Sequence, residues 1–170
     1  MARTRAAVLE GAALSIARYG SRRTTMADIA ASGGIAKATL YNHFRRKADV
    51  YVALVEAEVR RIAAEAADLA PSDLAAALTH AAEQVGCHPA VRRLAVDEPE
   101  VLAVMLALTG AEQPSLPRSS VAAVLAAAGS EAPPDRVDLV LRWVAGHLAV
   151  PGSPASRAAG GALLAGVVSR

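Results

Sequence analysis

Apolar residues recur with a helical period along nearly the whole chain, and Gly, Pro and Ser supply the breaks. Between Arg3 and Tyr19, the residues Val8, Leu9, Ala12, Ala13 and Ile16 share one stripe, with Arg5, Glu10 and Arg18 off it. That spacing predicts an amphipathic first helix, ended by Gly20 and Ser21. Thr25 and Asp28 then stand three apart before Ile29 and Ala30, the arrangement of a capping box, so a short helix is expected from Met26 to Ser32. Gly33 and Gly34 supply the positive φ of a tight turn. A second short helix is expected from Lys37 to Phe44. It turns Leu40 and Phe44 inward at i, i+4 and leaves Lys37, Thr39, Tyr41, Asn42 and His43 on its other faces.

From Ala48 the pattern continues through Val50, Leu54, Val55, Val59 and Ile62 to Leu69, with no Gly or Pro before Pro71. This predicts a connecting helix of roughly 20 residues, about 30 Å long, a candidate lever. Ser72 is expected to cap the next helix, which carries Leu74, Leu78 and Val85. A short segment from Ala90 to Asp97 follows, and Pro99 opens another through Val101, Leu102, Met105, Leu106 and Leu108. Gly110, Pro114 and Pro117 break that pattern before Val121 to Ala128 resumes it, so residues 99–128 read as one kinked helix or two. Asp135 is expected to cap a helix bearing Val137, Val140, Leu141, Val144 and Leu148. The last helix, about Ala155 to Val168, holds a single charge, Arg157. Two late helices this apolar need a covering surface, from their own domain or from a dimer. No period-2 strand run appears. The fold class is all-α: an N-terminal three-helix module with a helix-turn-helix over residues 1–47, then a helical domain over 48–170.

Composition supports this class, because 54% of the chain is apolar while only 3% is aromatic, leaving a core of Ala, Val and Leu. Charge changes the picture more. Residues 1–61 hold 11 Lys/Arg against 5 Asp/Glu, net +6, whereas residues 62–170 hold 7 against 11, net −4. The polar face of the second short helix, followed at once by Arg45, Arg46 and Lys47, therefore suits a polyanion. The turn alone leaves open an ordinary αα corner with a wet polar side. The charge asymmetry favours nucleic acid.

Other chemistry finds little support. His80, Cys87, His88 and Glu83 lie close in sequence but match no strong zinc spacing, and a helix-end His with a small buried thiol is the favoured reading. Arg92 and Arg93 read as solvated charge rather than an anion site. Trp143 and His147, at i, i+4, read as ordinary packing. No nucleophile with a base and an orienting group, and no phosphate-cradling glycine loop, can be drawn, so neither an enzyme nor a cofactor or metal is expected. One cysteine excludes an intrachain disulfide and agrees with a reducing cytoplasm. No signal peptide or membrane span is expected, because the most apolar stretch, Val144 to Val168, is interrupted by Pro151, Pro154, Arg157, Gly160 and Gly161.

In combination, the apolar first helix, TTMADIA, the glycine turn, KATLYNHF, Lys47 and the apolar connecting helix resemble the N-terminal domain of TetR-family transcriptional regulators. The resemblance covers Val8 to Leu54. It implies a homodimer that binds a roughly palindromic double-stranded operator with one recognition helix per subunit in successive major grooves. It also implies a small apolar effector bound between the connecting helix and the C-terminal helices, a dimer interface formed by the last two long helices, and a repressor. It names no ligand-binding residues. A dimeric architectural module without an effector is the alternative.

Carried onto this sequence, Thr25 is expected to hold a phosphate through its hydroxyl or the adjoining helix N-terminus. Lys37, Tyr41, His43 and Lys47 are expected at phosphates or in the groove, with bracing of the small module as the other role for Tyr41 and His43. Ala38, Thr39 and Asn42 are expected to face bases. Three positions depart from the family pattern. Ala36 stands where Ser or Thr often caps the recognition helix, and Ile16 and Ser21 stand where aromatics are common.

Overall fold

The computed structural model describes residues 2–99 and 115–169, and the readings for Val101 to Pro114, including whether residues 99–128 form one helix or two, lie outside them. Among the described residues every regular element is an α-helix, in agreement with the all-α expectation. They are α1 (Ala2–Tyr19), α2 (Met26–Ser32), α3 (Lys37–His43), α4 (Lys47–Leu69), α5 (Leu74–Cys87), α6 (Pro89–Asp97), α7 (Leu116–Ala127), α8 (Pro134–Ala149) and α9 (Pro154–Val168). The described residues separate into two compact units, 2–57 with 89–99 and 58–88 with 115–169. The chain of α4 begins in the first and ends in the second.

In the first unit α1 packs on α2 and on α6, and α2 packs on α3. Val8, Ala12 and Ile16 are fully buried, as are Ile29 and Leu40. Each Val, Ile or Leu side chain so enclosed stabilises the unit by about 1.5–3 kcal/mol. Leu9 and Ala13, on the same predicted stripe, are only half-buried. The α1–α2 crossing is set by two glycines. A Cβ on Gly11 would lie 2.4 Å from the Ile29 carbonyl oxygen, and one on Gly33 would lie 2.4 Å from the Ala7 carbonyl oxygen. Of the Gly33-Gly34 pair only Gly34 has a positive φ, 62°. Gly33 is there for the close approach, because φ is −84° at that residue.

The second unit is held by α5 against α8 and α9, with α7 on α8. Its core is small-residue and aliphatic: Ala66, Ala77, Leu78, Leu125, Val140 and Val168. The paired glycines of α9 seat that helix. A Cβ on Gly161 would meet Ala75 O at 2.8 Å and Thr79 Oγ1 at 2.3 Å, while one on Gly160 would meet the Trp143 ring at 2.8 Å. Trp143 and His147 do sit together, ring centroids 4.8 Å apart and edge to face, with His147 Nδ1 2.9 Å from the Trp143 carbonyl oxygen. Arg157 is buried and donates to the carbonyls of Pro151 and Gly152, at 2.9 and 3.0 Å, tying the start of α9 to the loop before it. Arg118 and Asp138 pair between α7 and α8.

Several local expectations are corrected. Asp73, not Ser72, caps α5, accepting from the Ala76 amide at 2.9 Å. Either residue type caps well, but the Ser72 hydroxyl instead donates to Leu69 O. Asp135 lies in the first turn of α8 behind an N-cap at Pro133, where a carboxylate still favours the helix dipole. Pro117 does not break a helix; it occupies the first turn of α7, where its missing N–H has no intrahelical acceptor to lose. Cys87 is exposed rather than buried, because it is the last residue of α5.

Candidate nucleic-acid interface

The helix-turn-helix is built as a capped helix, a glycine turn and an uncapped helix. At the start of α2 the capping box is complete. The Asp28 amide donates to Thr25 Oγ1 at 3.2 Å and the Thr25 amide donates to Asp28 Oδ2 at 2.9 Å. The Thr25 hydroxyl also donates to Asp28 Oδ2, at 2.7 Å. These bonds, the hydroxyl first and the amide second, hold the Asp28 carboxyl below its ordinary value of 3.8. A cap of this kind is worth about 1 kcal/mol. At the start of α3 no such bond exists, because Ala36 is the N-cap and offers no side-chain acceptor.

Helix α3 separates its two sides cleanly. Leu40 is fully buried and Phe44 is 6% exposed. Lys37, Ala38, Tyr41 and Asn42 are exposed, while Thr39 and His43 are half-buried. Lys37, Ala38, Tyr41 and Asn42 thus share the outer side of one short helix, about 1.5 Å of rise per residue, with Thr39 and His43 at its margins, whereas Thr25 and Lys47 lie outside α3. Arg45 and Arg46 follow, both exposed. Arg46 turns back on the first turn of α4, where Nη2 donates to Asp49 Oδ1 at 2.8 Å and the amide donates to Asp49 Oδ2 at 3.1 Å. From α1, the Arg5 guanidinium lies 5.2 Å from the centre of the ring of Phe44, the C-cap residue of α3.

Lys47 is placed differently from the others. Its ammonium donates to the Ser21 carbonyl at 2.9 Å and reaches the Arg22 carbonyl at 3.5 Å, bracing the loop between α1 and α2. Beside it the Tyr51 hydroxyl donates to the same Ser21 oxygen at 2.7 Å. Tyr51 is 1% exposed, and burial first, then the charges of Glu98 and Asp97, push its hydroxyl far above the usual tyrosine value.

Residues 8–54 match the family model for bacterial regulatory proteins, tetR family. The chain carries a TetR-family N-terminal domain. The HTH-type transcriptional regulator TtgR of Pseudomonas putida is 40% identical over 53 residues, which is 31% of this chain and 25% of that protein. The probable HTH-type transcriptional regulator ArpR of Pseudomonas putida matches to the same extent. The chain therefore aligns with about a quarter of the length of these curated relatives. The TetR family repressor AlkX from Dietzia sp. superposes with a TM-score of 0.70 at 18% identity, over 96% of this chain and 94% of that one. A TetR-family regulator from Rhodococcus sp. gives 0.65 at 20% identity over 100% of both chains. At these identities the structural likeness shows the fold alone.

Relative to the TetR-type pattern, Ser21 is buried with its carbonyl bound by Tyr51 and Lys47, so α4 supplies the aromatic beside the position where the loop itself lacks one. Tyr51 falls in the apolar stripe of α4, but nothing in a helical period marks a hydroxyl that must find a partner 30 residues earlier. The histidine and cysteine cluster of the second unit is dispersed. His80 Nε2 lies 2.9 Å from Glu65, His88 Nε2 lies 3.5 Å from Glu58, and Glu83 faces Arg157 at 3.7 Å. Among the described residues no group of three or more His, Cys, Asp or Glu is arranged to hold a metal. No described helix is long and apolar enough to cross a membrane.

Proposed function

We propose that this protein is a transcriptional regulator that binds a two-fold symmetric operator as a homodimer and represses until a small apolar effector binds its helical domain. The observation that carries the DNA-binding part is the two-sidedness of α3: Leu40 and Phe44 buried, Lys37, Ala38, Tyr41 and Asn42 exposed, and Arg45 and Arg46 next in the chain. Asn42 can address a base edge through paired donor and acceptor, and the methyls of Ala38 and Thr39 can meet a thymine methyl. Lys37, Tyr41 and His43 are suited to phosphates or to the groove wall. The Thr25 hydroxyl already gives its hydrogen to Asp28. A phosphate there is therefore met by the Met26 and Ala27 N–H groups at the start of α2, because the Asp28 amide is already held by Thr25 Oγ1. Lys47, with two of its contacts turned inward, has one N–H left for a phosphate.

In this reading residues 1–47 form the reading head and residues 48–170 the dimerising and effector-binding part. Support for the dimer comes from α8, its C-cap residue Val150 and α9, where Leu139, Val150, Leu163 and Val167 are 43%, 73%, 74% and 55% exposed. Such apolar side chains on adjoining terminal helices suit a second copy of the same surface. An effector held among the Ala, Val and Leu side chains of the second unit would be apolar, and it acts by binding one position of α4 better than another. Footprinting on the DNA upstream of the protein's own gene tests the proposal. Two protected half-sites about one helical turn apart are expected. Protection of a single half-site, or none, contradicts it.

A further inference from the structure

Helix α6 lies far from the helix-turn-helix in sequence, yet its C-terminal end is bonded to the loop that leads into it. Asp97 Oδ2 accepts the Ser21 amide at 3.0 Å and the Arg93 Nε at 2.9 Å. The Arg22 Nε donates to the Asp97 carbonyl at 2.9 Å, placing a cation on the C-terminus of α6. The Ser21 hydroxyl reaches Glu98 Oε1 at 3.5 Å. The same short loop is gripped from α4 by Lys47 and Tyr51 on the Ser21 carbonyl. Both backbone groups of Ser21 are thus bonded to side chains from other helices, four residues before the Thr25 cap. Gly20, φ 80°, leaves room for this, because a Cβ there would stand 2.9 Å from Asp97 Oδ2 and 3.0 Å from Arg93 Nη2.

We propose that Asp97 is a positioning residue for DNA binding, a latch that fixes the α1–α2 loop and with it the placement of Thr25 and α2. The reading head then extends beyond the first four helices to α6. Arg93 is the clamp that holds the Asp97 carboxylate toward Ser21, and so is not merely solvated charge. The inference rests on the DNA-binding reading above. It opposes simple electrostatics, because removing the Asp97 carboxylate makes the basic unit more positive, which by itself would tighten binding to a polyanion. The latch predicts the reverse sign.

The test compares the unvaried protein with Asp97→Ala, Asp97→Asn, Arg93→Ala and, as a control, Arg92→Ala at an exposed neighbouring arginine. Two quantities are read: affinity for the protein's own upstream DNA at fixed salt, and hydrogen exchange of the Ser21 amide without DNA. Asp97→Ala is expected to weaken DNA binding about tenfold and to speed Ser21 exchange by about as much. Asp97→Asn, which keeps an oxygen for the Ser21 amide, is expected to fall between, and Arg93→Ala to weaken binding more than Arg92→Ala. Equal or tighter binding by Asp97→Ala, or unchanged Ser21 exchange, overturns the proposal. If Asp97→Ala does not fold, the Asp97→Asn and Arg93→Ala comparisons decide it by the same criteria. If the unvaried protein binds no DNA, the functional reading fails and the positioning role with it. A normal DNA affinity in a variant whose Ser21 amide exchanges fast overturns the latch alone.

Discussion

The two compact units are held together by different physics. In the first, a tight glycine crossing is supplemented by side chains that bond to backbone across long sequence separations: Asp97 and Tyr51 to Ser21, and Lys47 to Ser21 and Arg22. In the second, α5, α8 and α9 meet mainly through Ala, Val, Leu and Gly; Arg157 on the Pro151 and Gly152 carbonyls and the Arg118–Asp138 pair add buried polar bonds, while the contacts of His80 to Glu65 and of Arg61 to Glu58 and Glu65 are partly exposed. Exposed pairs contribute at most about 1 kcal/mol each. A surface that must present α3 in one orientation is fixed by directional bonds. The second unit is packed largely from aliphatic parts, which suits the dimerising and ligand-binding role proposed for it, and it is also the part for which only the fold, at 18–20% identity, links the chain to solved structures.

The glycine crossings break this comparison most forcefully. Gly11→Ala drives a Cβ to within 2.4 Å of backbone at Ile29 and is expected to cost about 3 kcal/mol, read as a lowered denaturant midpoint. Gly161→Ala meets Ala75 backbone at 2.8 Å and the movable Thr79 side chain, and is expected to cost less, about 2 kcal/mol. Equal costs would mean that the two units tolerate strain alike.

Within the head, Asn42→Ala is expected to cost about 1–3 kcal/mol in DNA affinity and to relax preference at one base pair. Lys37→Ala is expected to weaken all sequences alike and to reduce the salt slope by about 1. Indiscriminate weakening by Asn42→Ala would move that residue from bases to phosphates. A smaller gain comes from Ala36→Ser, which supplies the missing α3 cap and is expected to stabilise the unit by about 1 kcal/mol. An unchanged melting temperature would show that the cap is not what limits it.

The smallest effect is a pH window. Burial pushes the Asp97 carboxyl up, but hydrogen bonds from Arg93 and the Ser21 amide outweigh it and hold the group below its ordinary value of 3.8. A lowered folded-state pKa gives a contribution present above the unfolded pKa and lost as pH falls through the folded one. Ser21 protection is therefore expected to stay level from neutral pH to about 5 and to fall only below 3.8. Loss of protection near pH 6 would implicate a histidine instead.

What could be read in the sequence was local. Thr25 and Asp28 three apart, and a glycine pair seven residues after Met26, fix α2 from Met26 to Ser32 without any tertiary knowledge. The inward side of α3 follows from Leu40 and Phe44 alone. Cap choice between neighbours was not legible: Ser72 and Asp73 are both good caps, and tertiary geometry selects Asp73. Pro117 reads as a breaker or as a first-turn residue, and only the course of the chain decides. Gly11 looks like a weak point in an amphipathic helix until α2 crosses it. Arg93 reads as solvated charge and nothing in the sequence marks Asp97, because the Ser21 partner of Asp97 lies 76 residues away and no periodicity encodes which loop a short helix will meet.

A salt-titrated binding measurement on the protein's own upstream DNA, beside a scrambled duplex of the same length, tests the central claim most directly. The account predicts a preference for the native sequence and a logarithm of affinity that falls linearly with the logarithm of salt concentration. Affinity that ignores salt, or that is the same for both duplexes, would contradict it.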